Sequence, residues 1–259
     1  MLPSVLATRY VLPLREGGSM PGLMEASDDG MYVVKYRGAG QGVKTLVAEV
    51  LVGGIAATVG VAVPDLAVVD VPAAIARYEA DEEVQDLLDA SLGRNLGMDF
   101  LPGAFGYDGT LTPPPEEATR IVWLDAYTAN IDRTWSNPNL IVWHRKVYAI
   151  DHGAALYFHH SWPNREPDEN RFAAARFDAS KHVLADIAGN VSAIHDEMVA
   201  RLDDSAIGAI VDAVPDDWIE PAAGLHSVSE VRDAYRAHLR ARRDNPSAWL
   251  PELETGAGA

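Results

Sequence analysis

The spacing of apolar residues changes character along this chain. In the first hundred residues, short apolar runs alternate with turn residues. Val11–Leu14, Leu23–Ala26 and Met31–Tyr36 predict strands. Ser27-Asp28-Asp29-Gly30 predicts a hairpin turn, since Asp-Gly suits positive φ. Residues 38–42 read as a glycine loop. Lys44–Val59 has helical spacing, and Gly60 is placed to stop it. Val61–Val71 is β-rich and punctuated by Pro64. Ala73–Ala90 predicts an acidic helix, and Gly97–Phe105 a short strand entering a loop. Residues 106–115, ending in three consecutive prolines, read as a linker. Pro115–Ala129 predicts a helix with Glu116 and Glu117 in its first turn, where acids suit the dipole. Leu140–Val142 and Val147–Ile150 predict strands around the turn His144-Arg145-Lys146. From about Ala179 onward the pattern is helical, most clearly over Ser229–Arg243.

The order runs from strands to helices. It predicts an α+β protein of two lobes: a β-rich N-lobe over 1–105, a helical C-lobe over 106–253 and a disordered tail over 254–259. A length of 259 residues, 48% hydrophobic and 23% charged, is enough to bury a core. The charge changes the picture further. Twenty-one Lys and Arg against 38 Asp and Glu leave a net charge of -17, a field that repels nucleic-acid phosphates and anionic membranes. Cysteine is absent, which removes thiolate nucleophiles, thiolate zinc sites and disulfides. Met1–Leu14 is too interrupted for a signal sequence. Val47–Val63, broken by Glu49, Gly53, Gly54 and Gly60, is too short to span a bilayer. The expectation is a soluble cytoplasmic protein without stable membrane or nucleic-acid partners.

One constellation carries chemistry. Asp132 and Asn137 lie five residues apart on a loop, and Asp151 follows two short strands, just before His152-Gly153. Phosphoryl transfer needs a carboxylate at the nucleophile's hydroxyl and hard oxygen ligands for magnesium. Asp, Asn and Asp in this order meet that need. The competing explanation is a polar loop in which Asp132 caps a helix and Asp151 makes a turn.

The run Asn130-Ile131-Asp132-Arg133-Thr134-Trp135-Ser136-Asn137-Pro138-Asn139-Leu140, followed by Ala149-Ile150-Asp151-His152-Gly153, resembles the catalytic and metal segments of HipA-like kinases and of phosphatidylinositol kinases. Both belong to the wider protein-kinase-like fold. The resemblance covers roughly Gly17 to Phe158. It implies ATP and Mg2+ as cofactors, Asp132 as catalytic base, Asn137 as a magnesium ligand and Asp151 as the principal one. Asn139 rivals Asn137, but the spacing favours Asn137. His152 stands where ordinary protein kinases carry Phe.

This site makes a demand upstream: a strand lysine for the phosphates and a helix glutamate to hold it. Lys35, in Val33-Val34-Lys35-Tyr36, answers the first part. Glu49, alone in an apolar helical run, answers the second. Lys35 alone would read as a lysine snorkelling to water; Lys44, at a helix start, is the alternative. The loop Gly17-Gly18-Ser19-Met20-Pro21-Gly22, ahead of the lysine strand, is the expected phosphate cover, with Gly17, Gly18 and Ser19 at the phosphates, since glycines let backbone N–H groups approach phosphate. By resemblance Ser19 is a possible site of regulatory phosphorylation. Phe100 and Leu101 are the expected adenine neighbours, or else core residues.

Other features read more plainly. His159-His160 suggests a solvated or activation-segment role rather than a metal site, and residues 162–171 a surface loop. Arg133 orients the loop, meets phosphate or pairs with an acid. Arg236, Arg240, Arg242 and Arg243 read as a solvated helix face. The expected function is ATP- and magnesium-dependent phosphorylation of a hydroxyl, on protein. The alternatives are a nucleotide-binding pseudokinase and a lipid or small-molecule kinase.

Overall fold

The computed structural model describes residues 1–14, 20–40, 42–77 and 79–253. Gly17, Gly18 and Ser19 of the glycine loop, and the tail over 254–259, lie outside the described residues. The chain is mixed α and β and divides into two compact units. The first holds Met1–Val47 and Pro64–Pro102, the second Ala48–Val63 and Gly103–Ala259. The division falls inside helix α1 (Val43–Val59).

The first unit is a closed barrel of β1 (Ser4–Pro13), β2 (Gly22–Ala26), β3 (Met31–Lys35), β5 (Gly93–Asp99) and β4 (Leu66–Val71), in that order. Neighbours are antiparallel except β4 and β1, which pair in parallel and close the ring. Closure extends β1 well beyond the expected 11–14, because β2 and β4 supply ladder partners to a stretch whose apolar pattern is weak. β5 likewise starts four residues before the expected Gly97. Arg94 and Asn95 are poor strand formers, but two flanking strands dictate the pairing. Asn95 is buried and satisfied: its amide donates to the Ser91 and Gly93 carbonyls (2.7 and 2.8 Å) and its oxygen accepts the Arg37 N–H.

In the β2–β3 turn it is Asp29, not Gly30, that takes positive φ (62°), and Asp28 accepts the Gly30 N–H. Gly22 is required by contact: a Cβ there would stand 2.1 Å from the Tyr36 hydroxyl oxygen. The acidic segment 73–90 is two helices, α2 (Ala73–Ala76) and α3 (Glu82–Asp89), rather than one. Asp81 accepts the N–H groups of Glu83 and Val84, so it caps α3 instead of continuing a helix. Met24, Val34, Tyr36, Val69, Ala76 and Leu88 form the core of this unit.

The second unit is built around α4 (Pro115–Thr128), ten of whose residues are buried. Pro115 sits at its first turn, where a missing N–H costs nothing. Ala129 ends it with φ 54°. β6 (Phe105–Gly106) reaches into the start of the supposed linker and pairs with β7 (Leu140–Trp143); β7 pairs with β8 (Lys146–Ala149). The two-residue β7–β8 turn holds His144 and Arg145 at φ 46° and 63°, the backbone a tight hairpin needs. Among the described residues four α-helices follow: α5 (Glu169–Ala173), α6 (His195–Arg201), α7 (Asp204–Asp212) and α8 (Val228–Arg243). Helix therefore appears within the expected surface loop, while residues 179–190 form turns.

The arginines of α8 correct the solvated-face expectation. Arg242 is wholly buried and donates to the carbonyls of Ala126, Tyr127, Phe172 and Ala175. It thereby neutralises the C-terminal end of α4, and burial lowers its pKa to about 10. Arg236, Arg240 and Arg243 pair instead with carboxylates of α7 and α8 and their ends.

Candidate active site

Helix α4 delivers the site. Its buried Asp125 faces the loop that follows Ala129. The Asp125 carboxylate accepts from Arg133 Nε at 2.6 Å, Arg133 Nη2 at 3.3 Å, Asn130 Nδ2 at 3.1 Å and His182 Nε2 at 2.9 Å. The His182 tautomer follows from its other bond. Nδ1 accepts the Leu184 N–H, so the proton facing Asp125 sits on Nε2. Burial alone would raise the Asp125 pKa. The Arg133 charge and the hydrogen bonds from His182 and Arg133 outweigh it and bring the pKa down to about 2.

Arg133, 1% exposed, links this anion to both functional loops. One Nη1 bond goes to the Asn139 carbonyl and another, at 3.3 Å, to the Ile150 carbonyl. Nη2 donates to His152 Nδ1 at 3.3 Å. Of the three expected roles for Arg133, orienting the loop and pairing with an acid are the two the structure gives it. An arginine suits this task because its donors are rigidly divergent and permanently charged.

The loop after α4 carries Asp132, half-buried. Its N–H donates to Asn130 Oδ1, and its Oδ2 accepts Asn137 Nδ2 at 2.8 Å and Asn139 Nδ2 at 3.2 Å. The two rival asparagines therefore both bond the same oxygen. Asp151 follows β8 at φ 53°, an uncommon backbone for an aspartate. The next residue, His152, is anchored: its N–H donates to Glu49 Oε1 at 2.9 Å, and its carbonyl accepts the Ala155 N–H. Glu49 is 1% exposed and lies in the part of α1 that belongs to the second unit. Asp132 and Asn137 thus bond each other, Glu49 bonds the His152 N–H, and Asp151 stands between Ile150 and His152, both of which Arg133 contacts.

The remaining expected residues lie in the first unit. Lys35 ends β3 and is 6% exposed, so it does not snorkel to water. Phe100 donates its N–H to the Met31 carbonyl, and Leu101 is buried. Asp125 and His182 were not expected. Asp125 carried a usable signal, an acid inside the apolar run Ile121–Tyr127, which is the argument that singled out Glu49. His182 carried none.

The donor set suits a magnesium nucleotide. Asp132 and Asp151 supply carboxylates, and Asn137 and Asn139 spend their NH2 groups on Asp132, leaving amide oxygens as acceptors. No group of three His, Asp or Glu side chains forms a metal cage among the described residues. Magnesium held by one or two carboxylates plus substrate phosphates needs none. His159 is buried, with Nδ1 3.0 Å from the Tyr235 hydroxyl, whereas His160 is exposed, so only His160 meets the solvated expectation. Among the described residues, no helix is long and apolar enough to cross a membrane.

No curated protein matches the chain. Among solved structures it is similar to the Helicobacter pylori proinflammatory kinase CtkA, at 13% identity over 90% of each chain and a TM-score of 0.53. That likeness is one of fold. A family model described as HipA-like kinase matches residues 9–250. With nearly the whole chain matched, the protein belongs to the HipA-like kinase family.

Proposed function

We propose that the protein transfers the γ-phosphoryl group of ATP, with magnesium, to a hydroxyl group on protein, within a bilobal protein-kinase-like arrangement of residues 1–105 and 106–253. The observation that carries this is the state of Asp132. Both amide bonds engage Oδ2, which leaves Oδ1 to take the acceptor hydroxyl. Magnesium ATP supplies the phosphoryl group and the charge neutralisation.

In this scheme Asp132 holds the acceptor hydroxyl and takes its proton, a role worth roughly 10²–10⁴ in rate. Asp151 and Asn137 hold magnesium, with Asn139 beside them. Arg133 keeps the two loops in register through the Asn139 and Ile150 carbonyls, which is positioning rather than chemistry. Glu49 fixes the metal loop through the His152 N–H. Lys35 grips the phosphates, Gly17-Gly18-Ser19 covers them, and Phe100 and Leu101 flank the base.

Asp151→Asn keeps the size of the side chain and removes a metal-binding charge. It should abolish magnesium-dependent phosphate transfer while leaving the circular dichroism and unfolding midpoint unchanged. Transfer at the wild-type rate would overturn the assignment. ATP binding by the wild type without transfer to any acceptor would turn it into a binding module.

A further inference from the structure

The residues around Asp132 also describe the acceptor. Ile131, immediately before it, is 74% exposed, and Trp135, three residues after it, is 56% exposed. Single exposed apolar residues are ordinary, but these two bracket the carboxylate that any acceptor hydroxyl must reach. Trp135 is also held in place. The 134–137 turn is closed in both directions, Thr134 N–H to the Asn137 carbonyl and Asn137 N–H to the Thr134 carbonyl, each at 3.1 Å. The same Asn137 bonds Asp132. The Trp135 ring stacks on Tyr107 with centroids 6.1 Å apart and planes 29° off parallel, and it lies against Gly109.

Tyr107 continues the β6–β7 ladder, donating its N–H to the Leu140 carbonyl. Phe105, two residues earlier on that ladder, therefore shares its face, and it is 54% exposed. None of these four side chains is charged, and the net charge of -17 disfavours acidic acceptors.

We propose that Trp135, seated on Tyr107, with exposed Phe105 on the same ladder face and exposed Ile131 on the other side of Asp132 in the chain, is a preformed platform for a bulky apolar side chain next to the acceptor hydroxyl of a Ser- or Thr-containing peptide. This inference rests on the kinase reading. It narrows the acceptor from a hydroxyl on protein to one with an apolar neighbour within about two positions, the reach of adjacent side chains along an extended strand. A rigid aromatic surface selects such a residue at low entropic cost.

The test uses an arrayed library of Ser and Thr peptides varied one position at a time, with the wild type, Trp135→Ala and Trp135→Phe. The wild type should phosphorylate peptides with Leu, Ile, Phe or Met beside the acceptor at least tenfold faster than those with Ala or Glu. Trp135→Ala should erase that preference, and Trp135→Phe should restore most of it. Nucleotide-free binding of a fluorescein-labelled Leu-containing peptide, read by anisotropy, should weaken at least tenfold in Trp135→Ala. Phosphorylation without apolar preference, or a preference unchanged in Trp135→Ala, overturns the platform and leaves the kinase reading intact. ATP hydrolysis that depends on Asp132, with no peptide bound or phosphorylated, removes the peptide acceptor alone. No hydrolysis and no transfer removes the kinase reading, and the anisotropy contrast then still decides the platform.

Discussion

Asp125→Asn strips one charge from the buried frame and changes almost nothing else. In the native protein the Asp125 and Arg133 side chains are both fully buried, 2.6 Å apart. The variant leaves the guanidinium buried without a counter-charge. It also turns an amide NH2 toward Arg133 or His182, neither of which can accept there. Stranding a buried charge costs about 3–5 kcal/mol. A second estimate comes from protonation. The carboxyl is held at about 2 against an ordinary 3.8; at about 1.4 kcal/mol per unit, its ionisation contributes about 2 kcal/mol. Because the folded value is depressed, that contribution is present above pH 4 and lost as pH falls through 2. The first estimate is larger because it includes the stranded cation. Urea unfolding followed by circular dichroism at pH 7 should show Asp125→Asn less stable by about 2–5 kcal/mol. Between pH 4 and pH 2 the wild type should lose about 2 kcal/mol that the variant never had. A loss below about 1 kcal/mol at pH 7, or the same acid dependence in both proteins, would refute the reasoning.

Two further changes probe the scaffold of the second unit. Arg242→Ala removes the donors for four carbonyls around the end of α4 and should cost about 3–5 kcal/mol in urea unfolding; Arg242→Lys, with a single ammonium, should recover only part. Gly60→Ala places a Cβ at φ +82°, against the Arg120 and Arg201 guanidinium groups. It should lower stability by about 1 kcal/mol, seen as a small drop in Tm.

The meeting of Asp132 and Asn137 was legible in the chain because it is local. Asp132 and Asn137 share one loop, and Asp151 follows one hairpin. Fixed spacing on short segments fixes which side chains can meet, and here it brought Asn137 to Asp132. Elements with strong local chemistry were legible too: α1 with its Gly60 stop, and α4 with its proline start. The misplaced boundaries belong to segments whose partners are distant. β1 and β5 are strands because other strands flank them on both sides, which their own side chains announce weakly. The helix expected over 73–90 broke at Asp81, where a side chain that satisfies backbone N–H groups favours a helix start over an interior.

The sequence by itself determined the order of the parts, the oxygen-rich donor set and the absence of thiol chemistry, because residue types and short spacings settle those. Tertiary structure decided which side chains hold the set in place. His182 reaches Asp125 across 57 residues and Glu49 reaches the His152 N–H across 103. No periodicity encodes contacts at such separations. They exist because a buried charge must find partners wherever the fold brings them. The same requirement took Arg242 from an apparently solvated face and seated it on the end of α4, where the carbonyls it satisfies become available only once the helices have packed.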